Sequence, residues 1–307
     1  MSSNGQFFSN LPTDTKVTTM TEFKKTLLGA ATLLALSAPV ANATIITVDG
    51  VRWDTASTNP LDDFFASSVF DQWIQSGTPV LDDTNQIVVD YNNPQNLIGG
   101  FLSGSGNITE VNGVNAISGT PMVETTPENF LPFGGELTYV FGGIQITGIQ
   151  EIIVPNLGTF INFDFNFDNG FARIYSDSTA DWPTGGRPDV ANAQDGNLFL
   201  DLEFASFALA PTANVIGGTV SAQLNAIGGS ALQYFDTNPS MVRNTAMLPG
   251  ADFTYSASSQ FANGGLVSSG TAEIAADSEV PEPATLALLG LGLLGLGGTR
   301  LRKRQRG

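Results

Sequence analysis

The sequence predicts an all-β body, either an antiparallel β-sandwich of jelly-roll type or a barrel, with one short amphipathic helix. Three observations carry this expectation. Apolar and polar residues alternate with period 2 over many short runs, Gly, Asn and Pro punctuate those runs, and no residue pattern repeats at a fixed spacing. The 307-residue length suits a single β-rich domain flanked by short terminal segments.

The elements follow in chain order. A first strand is expected at 44–53. Asn59-Pro60 then places a capping residue and an N1 proline ahead of Phe65, Val69, Trp73 and Ile74, whose spacing predicts a helix over 60–76 with Trp73 in the core. Further strands are expected at 86–91, 97–103, 106–111, 136–141, 144–153, 159–168, 171–177, 197–209, 214–226 and 251–261.

The clearest pattern is Phe160-Ile161-Asn162-Phe163-Asp164-Phe165-Asn166-Phe167-Asp168, a strand with one dry and one wet face. Asn169-Gly170 follows, the pair preferred in two-residue type I′ hairpins because both positions need φ > 0. Such a hairpin would set Asn166 opposite Arg173 and place Arg173 between Asp164 and Asp168.

Charge excludes several functions. Of 29 acidic residues, Asp14, Glu22 and Glu282 lie outside residues 44–279, leaving 26 within. The only basic residues there are Arg52, Arg173, Arg187 and Arg243, so the body carries about −22 and no lysine. Such a body is repelled by nucleic-acid phosphates. The chain has no histidine and no cysteine, which removes Ser-His-Asp triads, thiol nucleophiles, zinc fingers and disulfides. A lysine-free body offers no Schiff-base amine.

Asp164-x-Asn166-x-Asp168 has the oxygen spacing that opens a calcium loop, making these three residues calcium candidates. The sixth position is Asn169 and the twelfth is Tyr175, which fit a pleated strand better than a coordinating loop. Asp62-Asp63, Asp82-Asp83-Thr84-Asn85 and Asp177 to Asp181 are further acidic turns that can offer calcium ligands or simply face solvent. No pair among the 26 acids is singled out for glycoside hydrolysis, so no catalytic residue is assigned. Trp182, in the polar run Asp181-Trp182-Pro183-Thr184, is the ring best placed to stack on a sugar.

The termini read as addresses. From Met20, the expected true start, two lysines precede an apolar run from Leu27 to Leu36, a helix-breaking Pro39 and the small pair Ala41 and Ala43. This is the order of a secretory signal helix, with cleavage expected after Ala43. At the other end, Ala284 to Thr299 gives 16 uncharged residues, about 24 Å as helix, and hence a short transmembrane helix. Arg300, Arg302, Lys303, Arg304 and Arg306 follow as a stop-transfer cluster on the cytoplasmic side. The domain plan is therefore leader and signal at 1–43, one β-rich domain at 44–278 and a sorting tail at 279–307.

Val280-Pro281-Glu282-Pro283, a short apolar span and a terminal basic cluster resemble the PEP-CTERM sorting signal. The resemblance implies signal peptidase and exosortase as partners, a transient inner-membrane stage, and processing near Pro281, Glu282 and Pro283. It also implies delivery to the surface or extracellular matrix of a Gram-negative, exopolysaccharide-producing bacterium. Within the body, residues 50–54, 136–143, 175–182 and 195–202 resemble segments of flocculation-associated proteins with the same tail, although Phe133-Gly134-Gly135 stands where such proteins often carry cysteine. That implies a non-catalytic component of floc, biofilm or exopolysaccharide. A glycan-binding module is the alternative and a carboxylate-based glycan-active enzyme the third reading.

Overall fold

The computed structural model describes residues 45–55, 63–77, 85–112, 114–115, 130–132, 134–156, 158–182, 190–211, 217–238, 241–242, 245–246 and 250–279. The signal segment, the apolar tail and its basic cluster lie outside these residues. Among the described residues no helix is long and apolar enough to cross a membrane.

The main strands are β1 (Ile45–Val48), β2 (Val51–Asp54), β3 (Phe64–Gln75), β4 (Phe101–Val111), β5 (Val114–Asn115), β6 (Glu136–Val154), β7 (Gly158–Asn166), β8 (Phe171–Asp177), β9 (Asn197–Pro211) and β10 (Gly217–Gly228). The two-residue strands β11 (Met241–Val242) and β12 (Thr245–Ala246) pair with each other, and β13 (Phe253–Gln260) and β14 (Val267–Ala276) complete the set. Eight strands close antiparallel in the cyclic order β3, β14, β13, β10, β9, β8, β6, β4. The body is a β-barrel, which settles the sandwich-or-barrel alternative. Closure pairs the wall strands on both sides except where β7 lies beside β9 without a ladder, and so covers most of the sheet edges.

The predicted helix at 60–76 is corrected. Residues 64–75 form β3, whose burial alternates from Phe64 to Phe70. A spacing of four residues satisfies both a helix and a strand, and here β-branched and aromatic residues with partners on both sides decide for the strand. Helix among the described residues is limited to one four-residue turn, α1 (Leu232–Phe235), and short 3-10 segments at Pro94–Leu97 and Asn192–Gln194.

The predicted hairpin at Asn169-Gly170 is also corrected. β7 and β8 do not pair with each other; both run antiparallel to β6, as two stretches of one broken strand. Gly142 of β6 faces Phe171 and Gln145 faces Asn166, so a four-residue turn at 167–170 is accommodated opposite only two residues of β6. Gly143, at φ +77°, makes room for it, because a Cβ there would strike the Asn169 carbonyl. Asp49-Gly50, with φ of 47° and 84°, forms an I′-type turn, so the single strand expected at 44–53 is the β1–β2 hairpin.

The expected strands 97–103 and 106–111 become one strand, β4, which starts only at Phe101 because Leu97 closes a 3-10 turn, and 136–141 and 144–153 merge into the 19-residue β6. The 86–91 run makes one isolated bridge, Gln86 to Gln75. β14, between β13 and β3 in the wall, was not expected from the sequence. Its Val-Ser-Ser-Gly-Thr-Ala-Glu run is small and polar because bulk is supplied from across the strand: a Cβ on Gly270 would meet the Phe70 ring.

At the end of the barrel where β3 begins and β14 finishes, an aromatic plug fills the bore. Trp53 stacks on Phe235 at 5.2 Å and meets Phe64, Phe199 and Tyr234 edge-on at 5.7–6.1 Å. The Trp53 indole N–H donates to Ser278 Oγ at 3.0 Å, and the Glu279 N–H to the Tyr234 carbonyl at 2.8 Å. The described body thus ends stapled to its plug.

Candidate functional site

Two places on this frame concentrate chemistry. The first begins with register. β6 starts at Glu136 directly opposite Asp177, the last residue of β8. The chain then turns so that Asp181 comes back over the pair, and the three carboxylates lie within 4.8 Å of one another. Sequence alone flagged Asp177 to Asp181 but missed Glu136, which is 41 residues distant and is brought in only by the β6–β8 ladder.

Glu136 is buried, and both of its oxygens accept the Trp182 backbone N–H, at 3.2 and 3.1 Å. Burial pushes its pKa up to about 7, partly offset by the Trp182 and Asp181 backbone bonds and reinforced by the charges of Asp181 and Asp177. Asp195 close by is also raised, by desolvation and then by Asp177 and Asp181. The covering loop is tied down by Thr138 Oγ1 donating to the Ala193 carbonyl at 2.9 Å and by Ala180 N–H donating to Gly134 O at 2.7 Å. Beneath it, Trp73, Val140, Trp182, Val190 and Ala193 form a satellite core on the outside of the barrel.

Three carboxylate oxygens this close are a donor set for a hard cation such as calcium. An elevated carboxyl beside ionised ones is also what a glycosidase acid needs. Glu136, however, is roofed by the loop and fixed by a backbone donor, so the arrangement here works as a clamp.

The calcium candidates chosen from spacing do not converge. Asp164 and Asp168 are exposed, Asp164 Oδ2 accepts from Gln150 Nε2 at 3.3 Å, and Asn166 Oδ1 caps the turn by accepting the Asp168 N–H at 2.9 Å. Arg173 pairs with neither aspartate. Its Nε donates to Asp201 Oδ1 at 3.0 Å on β9, its register partner, and its guanidinium lies 4.7 Å from the Phe171 ring centre. Trp182 is not the exposed ring expected of a sugar platform: it is 8 % exposed and packed in the satellite core. Trp73 is fully buried, as expected. Ala41, Ala43, Pro281, Glu282, Pro283 and the basic residues from Arg300 to Arg306 lie outside the described residues.

The second place is the bore. Tyr139 and Tyr255 meet inside it, joined through side-chain hydrogen bonds to each other and from Tyr139 to Ser68 at 3.0 Å; burial raises both phenols. Gly104 and Gly106 on β4 let the Phe141 and Tyr139 rings lie flat against the wall.

The fold and its connections define a closed antiparallel barrel delivered to a C-terminal segment at residue 279. Residues 279–303 match the family model of the PEP-CTERM protein-sorting motif. The chain therefore carries the tail of an exosortase-sorted, exported protein that transits the membrane. No curated protein and no solved structure matches the chain.

Proposed function

We propose that this is a non-catalytic surface or matrix protein of a Gram-negative bacterium, associated with exopolysaccharide, floc or biofilm. The observation that carries the reading is the sorting motif at 279–303 joined to a body of about −22 charge. The non-catalytic reading is supported by the burial of Glu136, the carboxyl whose pKa would suit acid catalysis, under the Trp182 loop. The burial of Trp182 likewise weighs against the glycan-module alternative. During export, signal peptidase and exosortase act on the two ends, and the inner membrane holds the chain only transiently.

Mass spectrometry of culture fractions tests this reading. The expected product begins after Ala43, ends near Pro281, Glu282 and Pro283, and is found in the matrix, where it co-sediments with isolated exopolysaccharide. An uncleaved chain in the cytosolic fraction, or a processed body that stays in the supernatant of such sedimentation, overturns it.

A further inference from the structure

The aromatic plug fills one end of the bore and leaves the rest incompletely packed. Above it lie two cavities of about 40 Å³ each, with Gln72, Leu102, Phe207 and Val220 lining both. The shared lining makes them one tapering slot. On β10 the lining runs from Leu224 up to Gly218, roughly 20 Å along the strand. An eight-stranded barrel is either filled by its own side chains or holds one small ligand. Here filling stops where Ala172 and Ala257 present only methyl groups.

The chemistry of the lining is specific. Neither cavity is lined by a charged residue. A small polar point interrupts it: the Gln72 amide donates to Ser259 Oγ. Ser268 sits opposite Gln72 in register on the same face of the sheet, 3 % exposed, and its Oγ has no partner among the described residues. Its side chain lines neither cavity, so the polar point of the slot is Gln72 with Ser259.

The wall also has an opening. In the plugged half, β8 joins β6 to β9 by ladders on both sides. In the other half its place is taken by β7, which pairs with β6 and lies beside β9 without a ladder to it. Phenylalanines fill this seam: Phe165 meets Phe207 at 5.0 Å, and Phe204 meets Phe207 at 5.8 Å. All three are only half-buried, unlike the plug rings. Side chains there can turn outward without breaking backbone hydrogen bonds. Residue 279 leaves from the opposite, plugged end.

We propose that the barrel interior binds an uncharged single-chain amphiphile, an alkyl chain carrying one hydrogen-bonding group, admitted through the β7–β9 seam. The chain enters as the half-buried seam rings turn outward and widen the slot, and its polar group meets the Gln72 amide, which lines both cavities. An anionic head group is excluded because the lining offers no cation and the body is a polyanion, and a cationic one because the lining offers no carboxylate to pair with it.

The exported protein, recovered without detergent and stripped with organic solvent, is titrated with the neutral fluorophore N-phenyl-1-naphthylamine. Displacement is then measured with 1-dodecanol and with dodecanoate at pH 8. One saturable site is expected, with dodecanol displacing the probe and dodecanoate at least tenfold weaker. Ala257→Phe, which fills the slot, is expected to lower probe affinity at least tenfold. Gln72→Leu, close to glutamine in volume, is expected to weaken dodecanol several-fold while leaving the probe unaffected. The proposal is overturned by absence of saturable binding, by equal displacement by dodecanoate, or by a dodecanol affinity indifferent to Gln72→Leu. None of these results bears on where the protein is exported.

Discussion

Both carboxylate oxygens of Glu136 receive the single backbone N–H of Trp182, and this bond pins Trp182 to the start of β6. Burial, reinforced by the charges of Asp181 and Asp177 and opposed by that backbone bond, keeps the Glu136 proton on to about pH 7.

The folded state therefore binds one more proton than the unfolded state between the ordinary carboxyl pKa of 4.5 and about 7. Stability is fully present below pH 4.5, falls as pH rises towards 7, and is flat above, with a total loss on the order of 3 kcal/mol. Melting in chelator from pH 4.5 to 8 measures it. Glu136→Gln is expected to make the profile shallower, leaving what Asp252 and Asp277, also raised by burial, contribute; a slope unchanged in that variant would place the titration elsewhere.

Arg173 is tied to Asp201, with both side chains part-exposed. Arg173→Glu sets like charges opposite each other across β8 and β9 and is expected to cost about 0.5–1 kcal/mol. The swap Arg173→Glu with Asp201→Arg is expected to recover most of it, whereas Asp164→Ala and Asp168→Ala stay within about 0.5 kcal/mol of the parent in urea melts.

On β4, Gly104 lies under the Phe141 ring and 2.7 Å, measured from where a Cβ would be, from the Asp71 carbonyl. Gly104→Ala forces both ring and backbone to shift, for an expected loss of about 1–3 kcal/mol. Chemical denaturation reads this directly, and a neutral outcome would mean that the wall gives more easily than its packing implies.

Trp53→Ala removes the centre of the plug and frees Ser278. The expected loss is about 3–5 kcal/mol in the melting curve, with amide protection lost first at α1 and residues 276–279. Uniform loss of protection across the barrel would show that plug and wall unfold as one unit.

Part of this was legible in the residues. The dry and wet faces of β7 emerged as read: Ile161 and Phe163 are buried, while Asp164 and Asn166 are exposed. The bounds of β8 matched at 171–177. Period 2 is a local property of a pleated chain, so it survives whatever the strand pairs with. β14 escaped notice because a wall strand facing large neighbours is itself built from Ser, Gly and Ala, which carry no strand signature.

The sequence by itself determined that the body is acidic, cysteine-free and β-rich, and that its tail bears a sorting motif, since these are matters of composition and contiguous pattern. Only the tertiary structure decided what pairs with what. It turned the Asn169-Gly170 turn into a step in one broken strand, gave Arg173 to Asp201, buried Trp182 and gathered Glu136 with Asp177 and Asp181. Each of these depends on which distant strand lies alongside, and that is set by closing eight strands into a ring, a constraint that no local stretch of residues contains.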